Sequence, residues 1–149
     1  KELKDIIIAC GCGTGNEFNI DNLRYDKIII TTDSDPAGHW ISSLLLVFFI
    51  YQMPDLIKHN KLFLCKTPLY GYKEKNTLIP IWTDDELEKS RKQGKKILRF
   101  KGLGEFNPEE LKIFTLTERR KLLKVEYEDP KEIFELMTSP ERKKGLIFV

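Results

Sequence analysis

Two aspartates separated by a single residue, Asp33 and Asp35, close a short apolar run and precede Pro36, Gly38 and a long apolar stretch. Carboxylates two residues apart in one turn point at the same small volume, and oxygen-only ligands suit a hard cation such as Mg²⁺. An ion held there stabilises a transferring phosphoryl group, and a pair of ions stabilises both the attacking and the leaving oxygen. Asp-x-Asp followed by Pro and Gly is also ordinary turn chemistry, because all three residue types favour turns. Sugar transferases and phosphatases use paired aspartates too, so the spacing alone does not name a reaction. The second chemical feature is Lys101-Gly102-Leu103-Gly104. There a lysine supplies a point charge for phosphate, and glycines expose backbone N–H groups. Its alternative is a glycine-rich strand-to-helix loop with a solvated lysine. Lys89, Arg91, Lys92, Lys95, Lys96 and Arg99 precede it, either as a DNA-backbone surface or as an exposed helix and strand edge.

The elements that must position these groups are legible around them. Tyr25 to Thr32 is rich in β-branched residues and reads as a buried strand that delivers Asp33 at its carboxyl end, where ligands bind in open α/β sheets. A helix follows over about His39 to Gln52. Its apolar residues occupy nearly every face, which predicts a core helix with Trp40, Phe48 and Phe49 inside. Lys61 to Lys66 reads as a second strand, and Leu69 to Tyr72 pairs with Leu78 to Trp82 as a hairpin. Thr83 with Glu86 three residues on has the capping-box arrangement of a helix start. Lys96 to Phe100 is a strand that delivers Lys101, and Asn107-Pro108-Glu109-Glu110 opens another helix in good order. A strand over Leu122 to Tyr127 and a helix from Asp129-Pro130 complete the chain. Strands alternating with helices predict an α/β domain: a largely parallel sheet flanked by helices, with a small C-terminal α/β tail region. The organisation expected is a core over residues 1–82 and a remainder over 83–149, forming one unit. Lys1 to Ala9 reads as a helix tail released at Gly11, Gly13 and Gly15, so further chain is expected upstream.

Composition narrows the function classes. The chain has 149 residues, 41% hydrophobic, with 25 basic against 23 acidic side chains and a net charge of +2. Such a balance is not that of a general nucleic-acid glue, so any contact with DNA must be local. Three cysteines, with Cys10 and Cys12 crowded together, form no disulfide framework and point to a reducing, cytoplasmic setting. His39 and His59 are too few for a structural zinc site. The longest apolar run, Leu44 to Tyr51, falls far short of the roughly 20 residues a membrane span needs.

Taken in order, a longer series of segments is more specific than any one motif. Cys10-Gly11-Cys12-Gly13-Thr14-Gly15, Leu23-Arg24-Tyr25, Ile28 to Asp35, Phe48-Phe49, Gln52-Met53-Pro54, Pro68-Leu69-Tyr70 and Lys101 to Pro108 follow one another along nearly the whole chain. The series resembles the Toprim region of the B subunits of bacterial type IIA DNA topoisomerases, gyrase and topoisomerase IV. The short gap between Tyr70 and Lys101 leaves no room for the insert of some gyrase B subunits, a likeness closer to topoisomerase IV or a compact gyrase. The resemblance implies a Toprim-like fold and a part of an ATP-dependent enzyme in which this region supplies Mg²⁺. An A-type subunit, gyrase A or topoisomerase IV A, would bring the tyrosine that attacks double-stranded DNA, in a heterotetramer away from any membrane. By motif match Asp33 and Asp35 would be the metal carboxylates, and Lys101 would act catalytically beside them. Lys101, Gly102 and Gly104, with Lys96 and Arg99, would contact DNA. The tyrosines of this chain are accordingly not expected to be the nucleophile.

Three departures from the family pattern matter. Ala37 stands where a third aspartate is usual in D-x-D-x-D-G-x-H, Trp40 stands where the histidine is usual, and His39 comes one place early. Neither an E-G-D-S segment, the family's source of an essential glutamate, nor an ATP-binding region is in the sequence. An alternative is therefore a catalytically inactive module that docks DNA or the partner subunit. A third reading, a primase- or nuclease-type Toprim enzyme, fits the Lys101 to Glu105 and Gln52-Met53-Pro54 segments less well.

Overall fold

The computed structural model describes residues 1–75, 77–117 and 120–126. Helix α1 (Glu2–Cys10) ends where Gly11 adopts a left-handed conformation, φ 73°, and donates its N–H to the Ile7 carbonyl. Strand β1 (Ile28–Thr31) leads through the Asp33–Asp35 turn into α2 (Pro36–Gln52). Met53 separates α2 from the short α3 (Pro54–Lys58), which has proline at its start. Strands β2 (Leu62–Lys66), β3 (Tyr70–Glu74) and β4 (Thr77–Ile81) follow. Helix α4 (Asp84–Lys92), β5 (Ile97–Arg99), α5 (Pro108–Thr115) and β6 (Lys121–Lys124) complete the described residues. The mixed α/β class is as the alternation predicts, but in place of one largely parallel sheet the described residues form two small sheets, because the hairpin segment pairs with β5 as an antiparallel sheet of its own. The C-terminal tail region, with Tyr127 and the expected helix from Asp129, lies outside the described residues.

Among the described residues there are two three-stranded sheets, one ordered β1-β2-β6 and the other β4-β3-β5. In the first, β1 and β2 are neighbours with α2 and α3 between them in the chain. The second is antiparallel throughout, with Tyr70 opposite both Ile81 and Arg99 and Tyr72 opposite both Ile79 and Ile97. Its β3–β4 pair is the hairpin the sequence predicts. Pro80 is tolerated in β4 because that strand lies at a sheet edge, where no ladder N–H is missed.

The chain forms two compact units. One is built from Lys1–Ile28, Ser43–Phe63 and the described residues from Lys124 onward. Cys10, Cys12, Phe49, Met53, Leu56 and Leu62 are buried in it. Asp26 on its surface pairs with both Lys27 and Lys61, each at 3.0 Å.

The other unit, Ile29–Ser42 with Leu64–Leu123, contains both chemical motifs. Its core gathers Leu78, Phe100, Phe106 and Phe114, with Trp82, Leu98 and Leu111 packed against them. Edge-to-face pairs run from Phe106 to Phe114 (5.2 Å) and from Trp82 to Phe114 (6.4 Å), the geometry that aromatic quadrupoles favour. The predicted capping box at Thr83 forms, and the helix start predicted at Asn107 carries a second one. Thr83 Oγ1 accepts the Glu86 N–H while Glu86 accepts the Thr83 N–H, and Asn107 and Glu110 exchange the same pair of bonds. Buried Glu110 keeps its charge balanced by Lys73 at 3.1 Å.

One expectation needs correcting. Apolar residues on nearly every face of α2 predict a wholly buried helix. Phe49 is buried, but Trp40 is 47% exposed and Ile41, Leu44 and Tyr51 are exposed to a similar degree. Burial follows what packs on a helix, and among the described residues only one side of α2 is covered.

Candidate functional site

Both carboxylates of the candidate site sit in the turn between β1 and α2, and both are engaged by backbone. Asp35 caps α2: its Oδ1 accepts the Gly38 N–H at 2.7 Å, and its carbonyl accepts the His39 N–H at 3.0 Å. Pro36 follows at the first helical position, where a missing N–H costs nothing. Asp33 reaches across the unit instead. Its Oδ1 accepts the Leu103 N–H at 2.7 Å, joining two segments 70 residues apart. A carboxylate offers about four lone-pair directions, so either side chain can accept these bonds and still face a cation. Both residues are half-buried.

The opposite wall is the Lys101–Glu105 loop. Its ends are held by Phe100 and Phe106, which are buried and stack with centroids 4.5 Å apart. Within the loop, Glu105 Oε1 accepts the Lys101 N–H at 3.0 Å, and the Glu105 N–H closes a short helical turn on the Gly102 carbonyl. Gly102 is extended, φ −162°, so its lack of a side chain is not needed for backbone conformation. Space is the reason: a Cβ there would come within 3.0 to 3.2 Å of the Asp33 carboxylate. At Gly104 a Cβ would meet nothing within 4 Å. The amides of Lys101, Leu103 and Glu105 are all engaged by oxygens of this chain, and the Lys101 side chain is exposed.

Gly38 is the tightest point of the site. A Cβ on it would lie 2.2 Å from the Asp33 carbonyl oxygen and 2.9 Å from that residue's N and C atoms. Helix α2 therefore starts in direct contact with the Asp33 backbone, and only glycine permits that approach.

Beneath the turn runs a chain of hydroxyls that sequence reasoning did not single out. Thr32 Oγ1 and Ser42 Oγ are 2.6 Å apart, Thr67 Oγ1 donates to the Thr32 carbonyl at 3.2 Å, and Ser34 Oγ donates to the Thr67 carbonyl at 2.8 Å. The signal in the sequence is slight: Ser42-Ser43 inside an otherwise apolar helix, and Thr67 at a strand end. Ser42 and Ser43 are both buried.

The structure thus brings Asp33, Asp35, Gly102 and Leu103 together, with Lys101 one residue away. Lys96 and Arg99 are exposed before and at the end of β5, and no hydrogen bond of the described residues ties them to the carboxylates. Lys95 of the same basic stretch is occupied by Glu74 at 2.8 Å and lies over the Tyr72 ring; the Glu74 hydrogen bond and charge raise its pKa. Ala37, at the position of the missing third acid, is exposed. Among the described residues there is no cluster of three or more His, Cys, Asp or Glu side chains able to hold a metal. The acids in the turn itself are the pair Asp33 and Asp35, each with one carboxylate oxygen already accepting a backbone N–H.

Comparison with known proteins agrees with the order of motifs. Residues 92–143 match the family described as DNA gyrase B subunit, carboxyl terminus. The topoisomerase 4 B subunit of Rickettsia typhi is 39% identical over 150 aligned positions, covering 95% of this chain and 23% of that protein. The gyrase B subunit of Thermotoga maritima is 40% identical over 145 positions, 92% of this chain and 23% of that protein. The topoisomerase 4 B subunit of Bacillus subtilis is 40% identical over 147 positions, 93% of this chain and 22% of that protein. The chain spans less than a quarter of the length of these relatives.

Proposed function

We propose, for a chain that corresponds to the carboxyl-terminal region of gyrase and topoisomerase IV B subunits, that it supplies the Mg²⁺ carboxylates and part of the DNA contact in a type IIA topoisomerase. The observation that carries this reading is the 2.7 Å hydrogen bond from the Leu103 N–H to Asp33. It makes one site of two motifs that the sequence keeps far apart. Asp33 and Asp35 would hold the ion. When bound, it supplies Lewis-acid stabilisation of charge on the DNA phosphate during cleavage and religation.

The chain's own groups have separable tasks. Asp35 fixes the start of α2 and presents its carboxylate from a capped, rigid helix end. Asp33 ties the turn to the Lys101 loop, so that Lys101 is carried to the edge of the same site. There its ammonium would neutralise phosphate charge as a point charge. Lys96 and Arg99 would extend that contact along the DNA backbone, each adding sequence-independent, salt-sensitive affinity. The nucleophilic tyrosine would come from an A-type subunit in a heterotetramer, and ATP would be used by a region outside this chain. A cytoplasmic setting suits three cysteines that are all free and buried. Gyrase-type and topoisomerase IV-type relatives match at 40% and 39%, so the proposal is made at the level of their shared chemistry.

A second reading has its own observation. Ala37 offers no carboxylate, and among the described residues no three acids are grouped so as to hold a metal. That favours a module that docks DNA or the partner without chemistry. The test combines a full-length B-type protein carrying this chain with a matching A-type partner and supercoiled DNA. Divalent-ion-dependent cleavage supports the enzyme reading, whereas DNA or partner binding unchanged by chelator, without cleavage, supports the docking module.

A further inference from the structure

Asp33 is flanked by two residues that are both held by one residue, Thr67. The Thr67 hydroxyl donates to the carbonyl of Thr32, the residue before Asp33, at 3.2 Å. Ser34, the residue after Asp33, donates its single hydroxyl proton towards Thr67, whose carbonyl is at 2.8 Å and whose Oγ1 is at 2.5 Å. Thr32 is in turn braced by Ser42 of α2 at 2.6 Å. The carboxylate-bearing residue is therefore clasped before and after by Thr67, which stands just past the end of β2.

The same segment also reaches the other wall. Pro68 is fully buried, and the Leu69 carbonyl accepts the Phe100 N–H at 2.8 Å, one residue before Lys101. Thr67 to Leu69 thus fixes the turn that carries Asp33 and the strand end that carries Lys101. Thr67 acts on the Asp33 carboxylate through the backbone of the turn, and groups that orient a ligand without touching the ion typically change metal affinity by roughly 10–100-fold when removed.

We propose that Thr67 is the positioning residue of the carboxylate site: its hydroxyl sets the placement of Asp33 and so the affinity for the hard cation. The inference rests on the metal reading above, and its test separates the two. Thr67→Val keeps size and β-branching but removes the hydroxyl, while Thr67→Ser keeps the hydroxyl. Mn²⁺ serves as the probe, with binding to the full chain measured by calorimetry or electron paramagnetic resonance, alongside thermal melts of every variant. Thr67→Val should weaken Mn²⁺ binding by roughly tenfold, within the range seen for outer-shell partners. Thr67→Ser should stay within about twofold of the parent, and Asp35→Asn should abolish binding. Should Thr67→Val fail to fold, Ser34→Ala removes the other arm of the clasp and should weaken binding in the same direction. Parent-like Mn²⁺ affinity in a folded Thr67→Val chain, with Asp35→Asn inactive in binding, overturns the positioning role alone. Parent-like affinity in Asp35→Asn overturns the metal reading and this inference with it.

Discussion

Replacing Gly38 by alanine isolates the contact that couples α2 to the Asp33 turn. Gly38 lies in the first turn of α2, where alanine is favoured over glycine by up to ~1 kcal/mol on helix propensity alone. Propensity therefore predicts a more stable protein. The contact predicts the reverse, because the new Cβ would lie 2.2 Å from the Asp33 carbonyl oxygen, whereas real Cβ atoms essentially never come closer than 3.0 Å. The obstructing atom is backbone and cannot swing away as a side chain would. Overpacking a tight site costs about 1–3 kcal/mol, and more where backbone must move. Because backbone must move here, the upper end of that cost, about 3 kcal/mol, applies, and setting the propensity gain of ~1 kcal/mol against it leaves a net loss of about 2 kcal/mol. For a chain of this length that lowers Tm by roughly 4–8 °C. The shift must be taken up by the residue that carries the Asp33 carboxylate, so Mn²⁺ affinity should fall along with Tm. Circular-dichroism melts of Gly38→Ala against the parent, followed by Mn²⁺ titration of the folded variant, decide the matter. An unchanged or raised Tm would show that helix propensity governs this position and would refute the close-approach argument.

Two further outcomes follow from groups away from the turn. Cys10, Cys12 and Cys65 are buried, and desolvation raises all three thiol pKa values, with the neighbouring Cys12 adding to the effect at Cys10. A thiol reagent at neutral pH should react slowly with the native chain and with all three thiols in denaturant, since the thiolate is the reactive form; rapid native labelling of any of them would contradict their burial. The Asp26 pKa is lowered, first by hydrogen bonds from Lys61 and Lys27 and then by their charges. A depressed folded pKa contributes stability above the unfolded carboxylate value, about 3.9, that is lost as pH falls through the folded value. Asp26→Asn should therefore flatten the acid limb of the melting profile at low salt while leaving its shape near neutrality unchanged. An acid limb as steep as the parent's would show that Asp26 contributes nothing to it.

The parts of the site that depend on local chemistry are legible in the sequence. Asp33 and Asp35 announce themselves by type and spacing, and the Lys101–Gly104 loop by its glycines. Thr83 with Glu86 gives a helix start because a capping box is a contact between residues three apart, and Asn107-Pro108 gives another through an N-cap and a first-turn proline. What local reasoning misses is long-range. That Asp33 receives the Leu103 N–H, and that Gly102 is glycine to make room for a carboxylate, depends on how β1 and β5 come to lie in one unit. The Thr67 clasp is similar, since a threonine at a strand end carries no mark of its partners. Trp40 fails for a different reason. Hydrophobicity reports a side chain's preference for burial, whereas exposure is decided by whether another element is there to cover it.

If Asp33 and Asp35 hold the cation that supports DNA cleavage, Asp35→Asn is the decisive variant. Asparagine caps a helix as well as aspartate does, so α2 should keep its start while the carboxylate charge is lost. The measurement is Mg²⁺-dependent DNA cleavage by a full-length B-type protein carrying this chain, assembled with its A-type partner, for parent and variant. The parent should cleave only with divalent ion. Asp35→Asn should lose cleavage by at least roughly a hundredfold, since the ion contributes several kcal/mol of charge stabilisation. Cleavage by Asp35→Asn at the parent's rate and with the parent's Mg²⁺ requirement would contradict the assignment of these carboxylates to the metal.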